Sequence, residues 1–225
     1  MAPLLFAALL LQAAAPGSGE ATPFEIDREA SVVAVVTHRA GFAARLAHNH
    51  LVVATGYDAT LDVASSRPPE ASFHLRIPVA GLVVDAPEHR ARWAQRLAEL
   101  GVEDELGSPG EDDRSEIAAA MRSEDQLDQE RFPWIEVRLV DVREGGRLLG
   151  GTAFPWTAVV ELTVRDRVVR SELPLRFSLE GDLLDVEATG TFTFQELGIE
   201  PYSAALGAVR NANEFDLYLN LKARR

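Results

Sequence analysis

His48 and His50 are the most closely spaced imidazoles among five histidines in 225 residues. On a strand, residues two apart share a face, so the pair could hold one zinc or copper ion if His38, His74 or His89 supplied a third ligand. Two imidazoles leave two positions of a tetrahedral structural site unfilled. Partly exposed or hydrogen-bonded histidines are therefore the plainer reading, and a metal-dependent site at His48 and His50 is the alternative. The string His48, Asn49, His50 is not an HNH nuclease motif, because that name refers to dispersed residues. An acidic chain also lacks the basic surface that phosphate binding requires. No Gly-x-Ser-x-Gly elbow, phosphate-binding glycine loop or His-Glu-x-x-His helix occurs. The expectation is a protein that is not an enzyme and carries no cofactor.

The second set of residues with functional potential is aromatic. Phe154, Trp156, Phe177, Phe192, Phe194 and Phe215 fall in segments that put large apolar residues on every second position. Bulky rings inside a β-barrel either interdigitate into a solid core or line a cavity for a hydrophobic guest, and the residues alone leave both open. An apolar guest offers no charge to grip, so such a wall would hold it through buried apolar area, at about 25 cal/mol per Å². Trp93 and Phe132 are then candidates to close or line the mouth.

These rings depend on strands to position them. Ile135 to Leu139, Phe154 to Leu162, Leu173 to Leu179, Val186 to Phe194 and Phe215 to Leu221 alternate apolar with residues such as Glu136, Arg138, Glu161, Arg165, Arg176 and Asp216. Each has one apolar face, which predicts a curved antiparallel sheet or barrel. Earlier, Phe24 and Ile26 begin a strand that turns at 27–31 and continues at 32–37. Ala40 to Leu46 form a helix or bend, 51–63 read as one strand, and Phe73, Leu75 and Ile77 as another.

Between the two halves the period changes. Asp85, Ala86, Pro87, Glu88 reads as a helix start with an acidic cap, and Trp93, Leu97 and Leu100 share one helical face up to Gly101. Glu103 to Glu105 and Glu111 to Asp113 read as a solvated acidic loop, because the alternating ligand spacing of a calcium loop is missing. A second helix is expected over roughly 115–127, carrying Ile117 and Met121.

The formal charge of −13 argues against nucleic acid and against anchoring on anionic lipid headgroups. No cysteine is present, so disulfides, thiolate metal sites and lipidated cysteines are excluded. Leu4 to Leu11 form a short apolar run followed by Pro16, Gly17 and Ser18, with Gly19 and Ala21 placed like the small residues before a signal cleavage site. Residues 1–21 therefore read as a signal peptide, and 22–225 as one exported domain, periplasmic or secreted. The run is shorter than the roughly 18 residues that span a bilayer, so no membrane span is expected in the mature chain.

The order of short motifs resembles the YceI-like proteins. Ile117, Met121, Ser123, Leu127, Asp128, then Phe132, Pro133, Ile135 resembles their helix leading into an aromatic-Pro strand. Leu162, Thr163, Val164 with Val168 and Val169 resembles their Leu-Thr hairpin, though Asp166 stands where glycine is usual. A type I′ turn through Asp166 and Arg167 would strain Arg167. Gly190, Phe192, Phe194, Leu197, Gly198, Ile199 and the strand from Phe215 to Ala223 complete the series. The polar pair before Gly198 is Gln195 and Glu196 rather than Asn and Arg.

The resemblance implies an extended, mainly β, antiparallel lipocalin-like barrel with a short helical insertion. It implies non-enzymatic carriage of a long isoprenoid or similar apolar lipid, lined by Trp93, Phe132, Phe154, Trp156, Phe177, Phe192, Phe194 and Phe215. A homodimer is compatible with it. A ligand-free interaction module is the remaining alternative.

Overall fold

The computed structural model describes residues 23–42, 48–63, 70–102, 106–204 and 209–225. The expected signal segment and most of the predicted bend after Ala40 lie outside these residues, as does the acidic triplet at 103–105. The elements are β1 (Glu25–Ile26), β2 (Val32–Ala40), β3 (His50–Ala54), β4 (Asp58–Val63), β5 (Ala71–Pro78), β6 (Leu82–Val84), α1 (Pro87–Glu99) and α2 (Glu111–Arg122). They continue as β7 (Trp134–Leu149), β8 (Thr152–Val164), β9 (Arg167–Glu180), β10 (Leu183–Thr193), β11 (Ser203–Ala204) and β12 (Val209–Arg224).

All ladders are antiparallel, in the order β4-β5-β7-β8-β9-β10-β12-β2-β3-β6, with β1 and β11 also paired to β12. The sheet curls into a half-barrel. No ladder joins its ends, β4 and β6, among the described residues. The segment before β2 instead links β4 to β12: Glu25 and Ile26 pair with Arg224 and Ala223, while the Phe24 N–H donates to the Leu61 carbonyl at 3.0 Å.

The five alternating segments of the second half form β7 to β10 and β12, and their inward residues build the main core with Val33, Val52, Leu75 and Ile77. The stretch 51–63 is two strands rather than one. It breaks at Thr55 to Tyr57, because β3 pairs with β2 and β6 whereas β4 pairs with β5. The β8–β9 register pairs Val164 with Arg167, so the loop is Arg165 and Asp166, and the positive φ of 56° falls on Arg165. The strain expected at Arg167 is absent, since that residue is already in β9.

Asp85 does not cap α1. Ala86 occupies the cap position without a side-chain bond, and Pro87 opens the helix with the fixed φ suited to a first turn. Glu111, Asp112 and Asp113 are the first turn of α2 rather than a loop, where carboxylates complement the helix dipole.

A second core lies on the outer face of the sheet. Val32, Ala34, Val36, Leu51, Val53 and Tyr218 project outward and are covered by Leu97 of α1 and Leu100 just after it, together with Phe154. The β7–β8 tip reaches this layer, and Gly150 fits against α1 only because it lacks a side chain. A Cβ there would lie 1.3 Å from the Glu99 carbonyl oxygen, and its φ is +52°.

Candidate ligand cavity

The inward face encloses a cavity of about 550 Å³. β2 contributes Val33, Val35 and Thr37, β3 His50, Val52 and Ala54, and β6 Leu82 and Val84, all in the same alternating phase along each strand. Ile135 and Val137 of β7, Leu162 and Val164 of β8, and Phe215 and Leu217 of β12 line other parts of the wall. α2 covers one side through Ile117, Ala120 and Met121. Arg122 ties it down by donating from Nη2 to the carbonyls of Leu82 at 2.8 Å and Ala80 at 3.2 Å.

A smaller cavity of about 70 Å³ lies further along the sheet, lined by Phe73, Leu139, Leu175, Phe177 and Leu219 among others. Val33, Val137 and Leu217 line both spaces, so the two abut across those side chains.

Of the eight predicted wall residues, Phe177, Phe194 and Phe215 line these cavities, whereas Phe132, Trp156 and Phe192 lie outside both linings. Phe194 and Phe215 line the larger cavity with ring centroids 4.9 Å apart, and Phe192 stacks on Phe215 at 5.9 Å. Phe177 lines the smaller cavity, and Trp156 packs against the inward core. Phe132 sits half-buried after α2, with the guanidinium groups of Arg131 and Arg165 at 5.1 and 5.8 Å from its centroid.

Trp93 and Phe154 are not among the residues lining either cavity. Both belong to the outer core, where Trp93 meets Tyr218 edge-on at 6.1 Å. The reason is the β7–β8 ladder, whose register shifts between Glu144 and Arg147, opposite Trp156 and Phe154. Bulges of this kind bend a strand, and Phe154 lies beyond the bend.

His48, two residues before the start of β3, and His50, its first residue, both line the larger cavity, so only His50 is on the strand expected for the pair. His50 Nδ1 makes a hydrogen bond of 2.6 Å with Asp85 Oδ2, and Asp85 Oδ1 accepts the Leu51 N–H at 2.8 Å. Asp85 is completely buried, and its backbone takes φ 48° to make both bonds. Among the described residues, no three His, Cys, Asp or Glu side chains converge as a metal site. Asp113 and Glu116 of α2, with Arg210 and Asn211 of β12, supply other polar residues of the cavity wall. Sequence reasoning missed Thr37, Ile117 and Met121 as wall residues. For Thr37 the signal was there, in phase with Val33 and Val35.

The strongest electrostatic cluster lies on the opposite face. Glu187, buried in β10, would be raised by its burial, but hydrogen bonds from Arg96 and Tyr218 and the charges of Arg96 and Arg176 hold its carboxyl below the ordinary range. Burial and the same carboxylate push the Tyr218 phenol well above its usual value. The cluster fastens α1 to the sheet.

The family model of the YceI-like domain matches residues 24–223, and this chain belongs to the YceI-like family. The fold is similar to that of BcnA from Burkholderia cenocepacia, with a TM-score of 0.59 at 11% identity over 88% of this chain and 99% of that one. A polyisoprenoid binding domain from Saccharophagus degradans, implicated in plant cell wall breakdown, is similar at TM-score 0.51 and 10% identity, covering 91% and 99%. A Campylobacter jejuni YCEI protein gives 0.50 at 9%, covering 77% and 84%. No curated protein sequence matches the chain. No helix among the described residues is long and apolar enough to cross a membrane.

Proposed function

We propose that the protein binds and carries a long apolar lipid of isoprenoid type in the interior of its half-barrel, without chemistry on it, after export from the cytoplasm. The observation that carries this reading is the cavity of about 550 Å³ with its predominantly aliphatic and aromatic wall. Its size lies within the range typical of small-molecule sites. The adjoining space at Phe177 extends the apolar path for a chain longer than the first cavity holds. The polyisoprenoid binding domain of similar fold supports the same ligand class. Mass spectrometry of an organic extract of gently purified protein tests it. An isoprenoid lipid at near-stoichiometric amount is the expected result, and lipid-free protein that also takes up no added isoprenoid would refute the reading.

A further inference from the structure

The larger cavity is apolar except at certain positions, and two of those positions face each other across one ladder. His50 of β3 is paired in register with Thr37 of β2. Directly paired residues carry their side chains on the same face, with Cβ atoms about 4.5 to 5.5 Å apart. Both line the cavity.

Each has hydrogen-bonding capacity that the protein leaves unused. The Thr37 hydroxyl is buried and has no partner among the described residues. Thr37 as a whole is only 9% exposed. Buried polar groups are almost always satisfied, so an orphan in a ligand cavity calls for an explanation. The His50 ring presents its Nδ1 edge to Asp85, and its one hydrogen bond among the described residues is made there. An ionised carboxylate only accepts, so the proton sits on Nδ1, and neutral imidazole then has an acceptor at Nε2. The wall therefore offers one fixed acceptor beside one hydroxyl able to donate.

We propose that Thr37 and His50 form a two-point seat for a hydroxyl group, and that the ligand is an isoprenoid alcohol with an uncharged head. This rests on the isoprenoid reading above. The ligand O–H donates to His50 Nε2, and its oxygen accepts from Thr37 Oγ1–H. A hydrocarbon satisfies neither group, and an aldehyde satisfies only Thr37. A diphosphate head would meet the carboxylates of Asp113 and Glu116, against the single guanidinium of Arg210. Asp85 acts as a positioning residue, because it fixes which ring nitrogen carries the proton.

The test uses delipidated full-length protein at pH 8 and four C20 probes: geranylgeraniol, geranylgeranial, the hydrocarbon phytane and geranylgeranyl diphosphate. The alcohol is expected to bind about tenfold more tightly than the aldehyde, roughly the worth of one net hydrogen bond, with the diphosphate weaker than either. His50→Phe should bring the alcohol down to the aldehyde's affinity, because Thr37 alone then holds either head.

Asp85→Asn is the sharper variant. Asparagine tolerates positive φ and keeps an acceptor for the Leu51 N–H, but its amide donates to Nδ1 and moves the ring proton to Nε2. The alcohol-over-aldehyde preference should then reverse. Equal wild-type affinity for alcohol, aldehyde and hydrocarbon would overturn the seat while leaving the lipid reading intact. Tightest binding of the diphosphate would do the same. Failure of all four probes to bind would remove both readings.

Discussion

Arg96 of α1 grips the Glu187 carboxylate of β10 with two parallel hydrogen bonds, Nε to Oε1 at 2.8 Å and Nη2 to Oε2 at 2.7 Å. Glu187 is completely buried, and Tyr218 Oη also donates to its Oε1 at 2.8 Å. Arg176 of β9 approaches Oε2 at 2.7 Å from the other side. A bidentate pair of this kind orients the helix as well as holding it.

Removing Arg96 strands a buried charge. Arg96→Met is expected to cost about 3 kcal/mol in urea unfolding, the low end for a broken buried pair, because Arg176 and Tyr218 stay in place. The double variant Arg96→Met, Glu187→Leu should recover most of that loss, since no carboxylate is then left without its partner.

The same carboxylate makes stability depend on acid. Its folded pKa lies below the ordinary value of 4.5, so folding gains from it fully above that value, and the gain is lost as pH falls through the lower folded pKa. Wild type should therefore lose more unfolding free energy than Glu187→Gln between pH 5 and pH 2.5. Parallel losses in urea titrations at the two pH values would remove Glu187 as the source.

Phe177 separates a carrier from a solid barrel. Phe177→Ala should shorten the residence of bound isoprenoid while the melting temperature of the lipid-free protein changes little. If the ring were packed in a closed core, truncation would cost about 3 to 5 kcal/mol and no lipid would be lost. Melting and co-purified lipid measured on this one variant decide between them.

Export makes a separate prediction. Protein from the native host should begin at Thr22, after cleavage behind Ala21, as read by N-terminal sequencing. Soluble cytoplasmic protein retaining Met1 would sink it.

The sheet was legible in the sequence because a strand buried on one face leaves a period of two, and β7 to β10 and β12 carry that pattern in long runs. Two elements were harder to read for local reasons. Thr55 to Tyr57 interrupts an apparent single strand whose halves have different partners, and partner choice is not encoded in alternation. Asp85 has the composition of a helix cap, yet its backbone turns it back onto β3, a contact 34 residues away in sequence.

The site was partly legible for a related reason. Parity assigns Phe154 and Trp156 to one strand face, but it cannot say that the β7–β8 tip folds against α1, which takes Phe154 away from the cavity. Trp93 was correctly placed with Leu97 and Leu100 on one helical face, but the amphipathic pattern does not say which side of the sheet that face meets. His48 and His50, both on the cavity wall, could be recognised as neighbours. The acceptor that fixes the His50 ring could not, because it comes from a different element.

The position of β12 bears on when this molecule can fold. It lies between β10 and β2, and one arm of the sheet, β4 through β10, has no ladder to the other arm, β2, β3 and β6, except through it. β12 is also the last of these strands to be synthesised. Emerging from the ribosome at about 5 to 20 residues per second, the chain spends many seconds with two unjoined arms. Non-local pairings of this kind are slow to form. A chain built this way cannot complete its sheet until its final strand arrives, so the concave face gains its full wall only at the end of synthesis.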